Sequence, residues 1–204
     1  MVIAISLNVK NHFKNYCDFL DYYWLNFFNK YKIKFIILPN SETACQYILK
    51  TNSKKIDLII LPGGNDIFDK NHVVKNRNKV ENLIIKFSIK NNTPLLGVCR
   101  GMQLINVFFK GKIQLGKNHM KTKHLVELNN NFFKQKKFYV NSFHNYVIKR
   151  NNLGKQLEII AECKDQTIEF FQHKKHKVYG VMWHPERNNN YSQLRHIIKK
   201  IKWK

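Results

Sequence analysis

Through the first half of the chain, short apolar runs alternate with longer segments of helical spacing. Val2–Leu7, Lys34–Leu38, Asp57–Leu61 and Pro94–Val98 are rich in Ile, Leu and Val, which predicts buried strands. Between them, Phe19, Tyr22, Tyr23 and Phe27 fall on one helical face, and Val80, Leu83, Ile84 and Phe87 on another. Strand, helix, strand in this order predicts right-handed crossovers: an α/β fold with a mostly parallel central sheet and helices on both faces. The second half is less regular, with strands expected at Lys137–Val140, Leu157–Ala161, Thr167–Phe171 and Val178–Val181. A basic amphipathic helix, Tyr191–Trp203, closes the chain. Its stripe of Leu194, Ile197, Ile198 and Ile201 is expected to dock on the sheet rather than on a membrane.

Ligands of open parallel sheets bind beyond the carboxyl ends of the strands. Three loops belong to that edge: "NVKNHFKN" after the first strand, "PGGND" after the third and "CRG" after the fourth.

Composition narrows the choices. At 204 residues and 44% hydrophobic, the chain reads as one folded domain over 1–204 and not as a disordered segment. Its apolar runs are too short for a bilayer, and "MVIAISLNVKN" has neither basic leader nor cleavage site, so a cytoplasmic location is expected. Cys17, Cys45, Cys99 and Cys163 are scattered, which predicts free thiols and no zinc or redox pair. With no ligand cluster visible along the chain, neither metal nor organic cofactor is expected. The net charge of +23 is spread over the whole length without a recognition motif, so the expected partner is an anionic small molecule and not a nucleic acid. Oligomeric state is not legible.

Cys99 stands between Gly97 and Gly101 at a predicted strand-to-helix turn. A nucleophile needs that sharp turn and its small neighbours, and the amides and dipole of the following helix favour negative charge at the sulfur. The amide of Arg100 is placed to donate to an oxyanion. In "VMWHPER", His184 supplies a base and Glu186 a carboxylate to fix its tautomer. In "LPGGNDI", consecutive glycines let backbone amides face a ligand. Singly, these segments also read as a buried cysteine, a surface histidine and an ordinary turn.

Together, "PLLGVCRGMQLIN", "LPGGND", "VNSFH" and "GVMWHPE" resemble, in order and spacing, the motifs of class I glutamine amidotransferases, and within them those of stand-alone γ-glutamyl hydrolases. The resemblance implies a flavodoxin-like fold, with Cys99 as nucleophile, His184 as general acid/base and Glu186 as orienting carboxylate. It implies an oxyanion hole of the Gly64 and Arg100 amides, with Asn65 as an alternative to Gly64. Gln103, Asn141, Ser142, Phe143 and His144 match substrate-side positions. The sequence departs from the family pattern around Phe68–Asp69, where a proline is frequent, and at Tyr146, near a frequent glutamine.

The implied activity is hydrolysis of a γ-glutamyl amide through a cysteinyl thioester, releasing L-glutamate. The overall match is similar to bacterial hydrolases acting on a γ-glutamyl nucleotide phosphoramidate (γ-glutamyl-CDP-amidate) in capsule modification. Lys10, His12 and Lys14 are candidate phosphate contacts, with Arg100 and the segment 117–124 as further ones. Two other readings stay open: a glutaminase subunit delivering ammonia to a separate synthetase, and a non-catalytic basic binding protein on the same fold.

Overall fold

The computed structural model describes residues 1–13 and 15–202; the candidate Lys14 and the expected helix end at Trp203 lie outside the described residues. In chain order the elements are β1 (Val2–Ser6), β2 (Asn8–His12), β3 (Asn15–Phe19), α1 (Tyr22–Lys30), β4 (Lys34–Leu38), α2 (Glu42–Asn52), β5 (Leu58–Leu61), α3 (His72–Asn91), β6 (Leu95–Val98) and α4 (Arg100–Phe108). Then follow β7 (Gln114–Leu115), β8 (Met120–Leu128), β9 (Lys137–Phe143), β10 (Tyr146–Val147), β11 (Leu157–Cys163), β12 (Ile168–His173), β13 (Val178–Val181) and α5 (Ser192–Lys202).

The main sheet runs β4-β1-β5-β6-β13-β12-β11-β8-β9. Its first five strands are mutually parallel. Taken in chain order they stand second, first, third, fourth, fifth, which is the flavodoxin-like arrangement. The last four strands form an antiparallel wing hung on β13. The parallel sheet read from the sequence is therefore the half whose strand ends carry Cys99 and His184.

Strand residues alternate between two cores. Ile3, Ile5, Ile60 and Val98 face α1 and α5, which bury Trp24, Phe27, Phe28, Leu194, Ile197, Ile198 and Ile201. Ala4, Ile59, Leu61 and Leu95 face α2, α3 and α4, which bury Leu49, Val80, Ile84, Met102 and Ile105. Each fully buried Ile or Leu is worth about 1.5–3 kcal/mol by transfer, so the stripe of α5 is a docking face, as expected.

Two expectations are corrected. The α1 stripe is Trp24, Phe27 and Phe28, whereas Tyr22 and Tyr23 are exposed and Phe19 lies in β3. The cause is the N-cap: Asp21 accepts from the Tyr23 amide at 3.1 Å and starts the helix too late to include Phe19. The loop after the first strand is instead the β2–β3 hairpin, closed between His12 and Asn15. Its strands are mostly exposed and polar, so hydrophobic alternation does not reveal them. Among the described residues, no helix is long and apolar enough to cross a membrane.

Candidate active site

Cys99 joins β6 to α4 with φ 51° and ψ −106°, a region that costs a residue with a side chain about 1–3 kcal/mol. The turn is held from both sides: the Cys99 amide donates to the Val181 carbonyl at 2.8 Å, and its carbonyl accepts from the Gln103 amide at 3.1 Å. The helix can start this close to the sheet because position 101 is glycine; a Cβ there would stand 2.1 Å from the Leu61 carbonyl oxygen.

His184 follows β13, beside β6. Its Nδ1 meets Glu186 Oε1 at 2.6 Å, and both side chains are buried. Its backbone is pinned by Asn141, which accepts from the His184 amide at 2.8 Å and donates to its carbonyl at 2.9 Å. Burial works against the imidazolium, but Glu186 and the hydrogen-bonded Cys99 outweigh it and raise the pKa to about 10. Gly63 locates this pair. A Cβ on Gly63 would lie 2.6 Å from His184 Cε1 and 3.4 Å from both His184 Nε2 and Cys99 Cβ. Cys99, His184 and the glycine loop after β5 thus meet at one point of the sheet edge.

Behind the loop lies a buried ionic cluster. Arg77 donates to the carbonyls of Pro62 and Gly63 at 3.1 and 3.2 Å and to Asn65 Oδ1 at 2.9 Å. Glu81 accepts from Arg77 Nε at 3.1 Å, from Ser6 Oγ at 2.8 Å and from the Arg100 guanidinium. Since a trans peptide sets its C=O and N–H on opposite sides, the Gly63 carbonyl held by Arg77 turns the Gly64 amide away from the cluster. Gly64 takes φ 127°, and a Cβ there would strike Asn8 Oδ1 at 2.4 Å. The Asn65 side chain exchanges bonds with the Val9 backbone at 3.2 and 2.8 Å, tying the hairpin to this loop.

This cluster corrects one expectation: the Arg100 side chain is buried against Glu81 and Asn78 and is not free to hold a phosphate. Lys10 and His12 are exposed on the hairpin, as are Lys117, Lys121 and Lys123 around the start of β8. The sequence reading missed Arg77 and Glu81 as site residues. Their four-residue spacing on the apolar face of α3, with Val74, Val80 and Ile84, is the signal that marks them.

The segment 141–144 alternates as the end of β9. Asn141 holds His184. Ser142 is buried and donates to the His119 carbonyl. Phe143 is exposed, with Arg187 4.9 Å above its ring and His184 at its edge. His144 is buried, with Nδ1 3.0 Å from the Tyr146 carbonyl, and burial with the neighbouring His119 pushes its pKa down to about 3. Gln103, also buried, donates to the same carbonyl at 3.1 Å. The two departures from the family pattern touch each other: the rings of Phe68 and Tyr146 pack edge to face at 6.1 Å.

Spacing along the chain shows no ligand cluster, but the fold brings four potential ligands together. His119, His124, His144 and Glu169 come together with one nitrogen or oxygen of each within 4.8 Å of the others. His119 and His124 are five residues apart, but His144 and Glu169 reach them only through the pairing of β8, β9, β11 and β12.

Residues 2–186 match the Peptidase C26 family. The chain is 38% identical over 191 residues to the gamma-glutamyl-CDP-amidate hydrolase of Campylobacter jejuni, covering 92% of this chain and 88% of that one. It is 34% identical over 178 residues to the glutamine amidotransferase-like protein YvdE of Lactococcus lactis, covering 74% and 73%. Among solved structures, a glutamine amidotransferase from Thermotoga maritima superposes with a TM-score of 0.66 at 17% identity, over 98% of this chain and 82% of that one; this likeness bears on the fold alone.

Proposed function

Since the chain belongs to the Peptidase C26 family and is a γ-glutamyl amide hydrolase, we propose that it works through a thioester on Cys99. The observation that carries this is the position of His184, hydrogen-bonded to Glu186 through Nδ1 and facing Cys99 across Gly63 with its other edge. The Cys99 sulfur attacks the γ-carbonyl carbon, and the oxyanion is met by the amides of Gly64 and Arg100. His184 passes a proton to the departing nitrogen, the C–N bond breaks and the thioester remains. Water then attacks the thioester carbon, His184 takes its proton, and the C–S bond breaks to give glutamate and the free thiol. Glu186 holds the imidazole in place and is not itself protonated.

The leaving group we propose is a nucleotide phosphoramidate, as in γ-glutamyl-CDP-amidate, a step suited to capsule modification. The identity to the Campylobacter jejuni hydrolase supports it, and so does the net charge of +23, which draws anions. Gln103 and the Phe143 ring border the glutamyl end. The Phe68–Tyr146 pair offers an aromatic face for a base, and Lys10 and His12 lie on the hairpin tied to the oxyanion loop.

A panel of γ-glutamyl compounds tests the reading, with glutamate release measured for the purified chain alone. The nucleotide-linked amide is expected to give the highest kcat/KM without any partner. A chain that releases glutamate from none of them, or only when a synthetase is added, contradicts it.

A further inference from the structure

We propose that His119, His124, His144 and Glu169 form a closed tetrahedral site for a divalent cation, zinc by its donor chemistry, which staples the antiparallel wing. The inference stands apart from the thioester chemistry and uses none of its residues.

The first support is what the four side chains lack. His119 Nδ1, His124 Nε2, His144 Nε2 and both oxygens of Glu169 are buried without a hydrogen-bond partner among the described residues. The Cys163 thiol lies beside the carboxylate. Leaving such polar atoms buried and unpaired is costly, so a fold that gathers several at one point implies something that satisfies them together.

The second support is what the other ring nitrogens do. His119 Nε2 lies 3.1 Å from Asp165 Oδ2, and His144 Nδ1 lies 3.0 Å from the Tyr146 carbonyl. Each acceptor fixes the proton on that nitrogen and leaves the lone pair of the other directed into the cluster. Metal-bound histidines are oriented by such carboxylate and carbonyl partners. Asp165 is itself braced by Thr167 and Lys149.

The donor set then selects the ion. Three imidazoles and a carboxylate suit zinc, and four protein ligands leave no open position, which marks a structural site. Zinc bonds of about 2.0–2.1 Å set tetrahedral ligand atoms about 3.4 Å apart, so the group draws in modestly on binding. His144 Nε2 and Glu169 Oε1 are already 3.7 Å apart. The ligands come from the lead-in to β8, from β8, from the end of β9 and from β12. The ion therefore locks β9, whose Asn141 holds the catalytic histidine.

The test is metal content and metal affinity of the intact chain. After incubation with Zn²⁺ and removal of loosely bound ion, elemental analysis is expected to find about one zinc per chain. Co²⁺ in its place is expected to give the intense visible absorption of a tetrahedral site. Asp165→Asn, at a half-exposed position that spares the fold, is expected to weaken zinc binding about ten- to a hundredfold. Glu169→Gln is expected to abolish it, while Cys99→Ser leaves it unchanged. No zinc retained and no cobalt spectrum overturns the site in favour of a water-filled polar pocket. So does zinc binding that Cys99→Ser removes, or that Asp165→Asn and Glu169→Gln both leave intact.

Discussion

The side-chain amide of Asn141 closes a two-bond ring on the backbone of His184, accepting at 2.8 Å and donating at 2.9 Å. A residue matching a substrate-side position thus spends its hydrogen bonds on the backbone of His184, the proposed base. Replacing it by alanine is expected to lower kcat by roughly a hundredfold, the cost of about an ångström of misplacement. KM is expected to change little. Steady-state kinetics with a γ-glutamyl amide separates the two; a rise in KM at constant kcat assigns Asn141 to the substrate instead.

Cys99→Ala is expected to abolish glutamate release. Cys99→Gly is equally inactive but more stable than the alanine variant by about 1 kcal/mol, because glycine accepts the positive φ of the elbow without strain. Denaturant unfolding of the two variants measures the difference, and equal midpoints argue against a strained turn.

His184→Ala is expected to cost more activity than Glu186→Gln, since the carboxylate orients but does not transfer the proton. The pair also leaves a signature in stability. The folded-state pKa of His184 is raised from 6.5 to about 10, so its contribution is full below pH 6.5 and is lost as pH rises towards 10. The stability advantage of wild type over Glu186→Gln should fade across that window in unfolding curves taken at several pH values.

Glu81→Gln leaves two buried guanidinium groups sharing a neutral amide. The expected loss is about 3–5 kcal/mol, as for one partner removed from a buried ion pair. Burial opposes the Glu81 carboxylate, but Arg100 and Arg77 overcome it and hold its pKa below the usual range. The stabilisation is therefore present above that range and disappears as acid protonates Glu81, so wild type and variant converge at low pH. A constant gap in urea midpoints down to acid pH contradicts this.

Phe68→Ala is expected to raise KM for a nucleotide-linked γ-glutamyl amide, about 1–3 kcal/mol of stacking being lost, and to spare a substrate without a base. Lys10→Gln acts on the same substrate through charge, and its effect should vanish at high salt. If either variant slows both substrates equally, the leaving group is not held there.

The loops that meet at the candidate site were legible because each is local. Cys99 sits in a glycine-flanked elbow, and His184 and Glu186 are two residues apart, so short stretches of sequence carry them. The parallel strands were legible because they are buried on both faces and read as continuous apolar runs. The hairpin was not, since its strands are polar and mostly exposed. Nor was the histidine–glutamate cluster, in which His144 and Glu169 reach His119 and His124 only through the pairing of β8, β9, β11 and β12. The buried Arg77–Glu81 pair has the spacing of an exposed helical salt bridge, and only its place among Val74, Val80 and Ile84 on the apolar face sets it apart.

The last strand of the sheet stands at its middle. β13 joins β4-β1-β5-β6 to β12-β11-β8-β9, and without it the two halves share no strand pairing in the main sheet. During synthesis the cysteine therefore leaves the ribosome long before its base, and residues 178–186 complete both the architecture and the catalyst in one event. A growing chain cannot assemble this site until residues 178–186 have emerged, and a cut in the turn between β12 and β13 would undo it as a keystone removed undoes an arch.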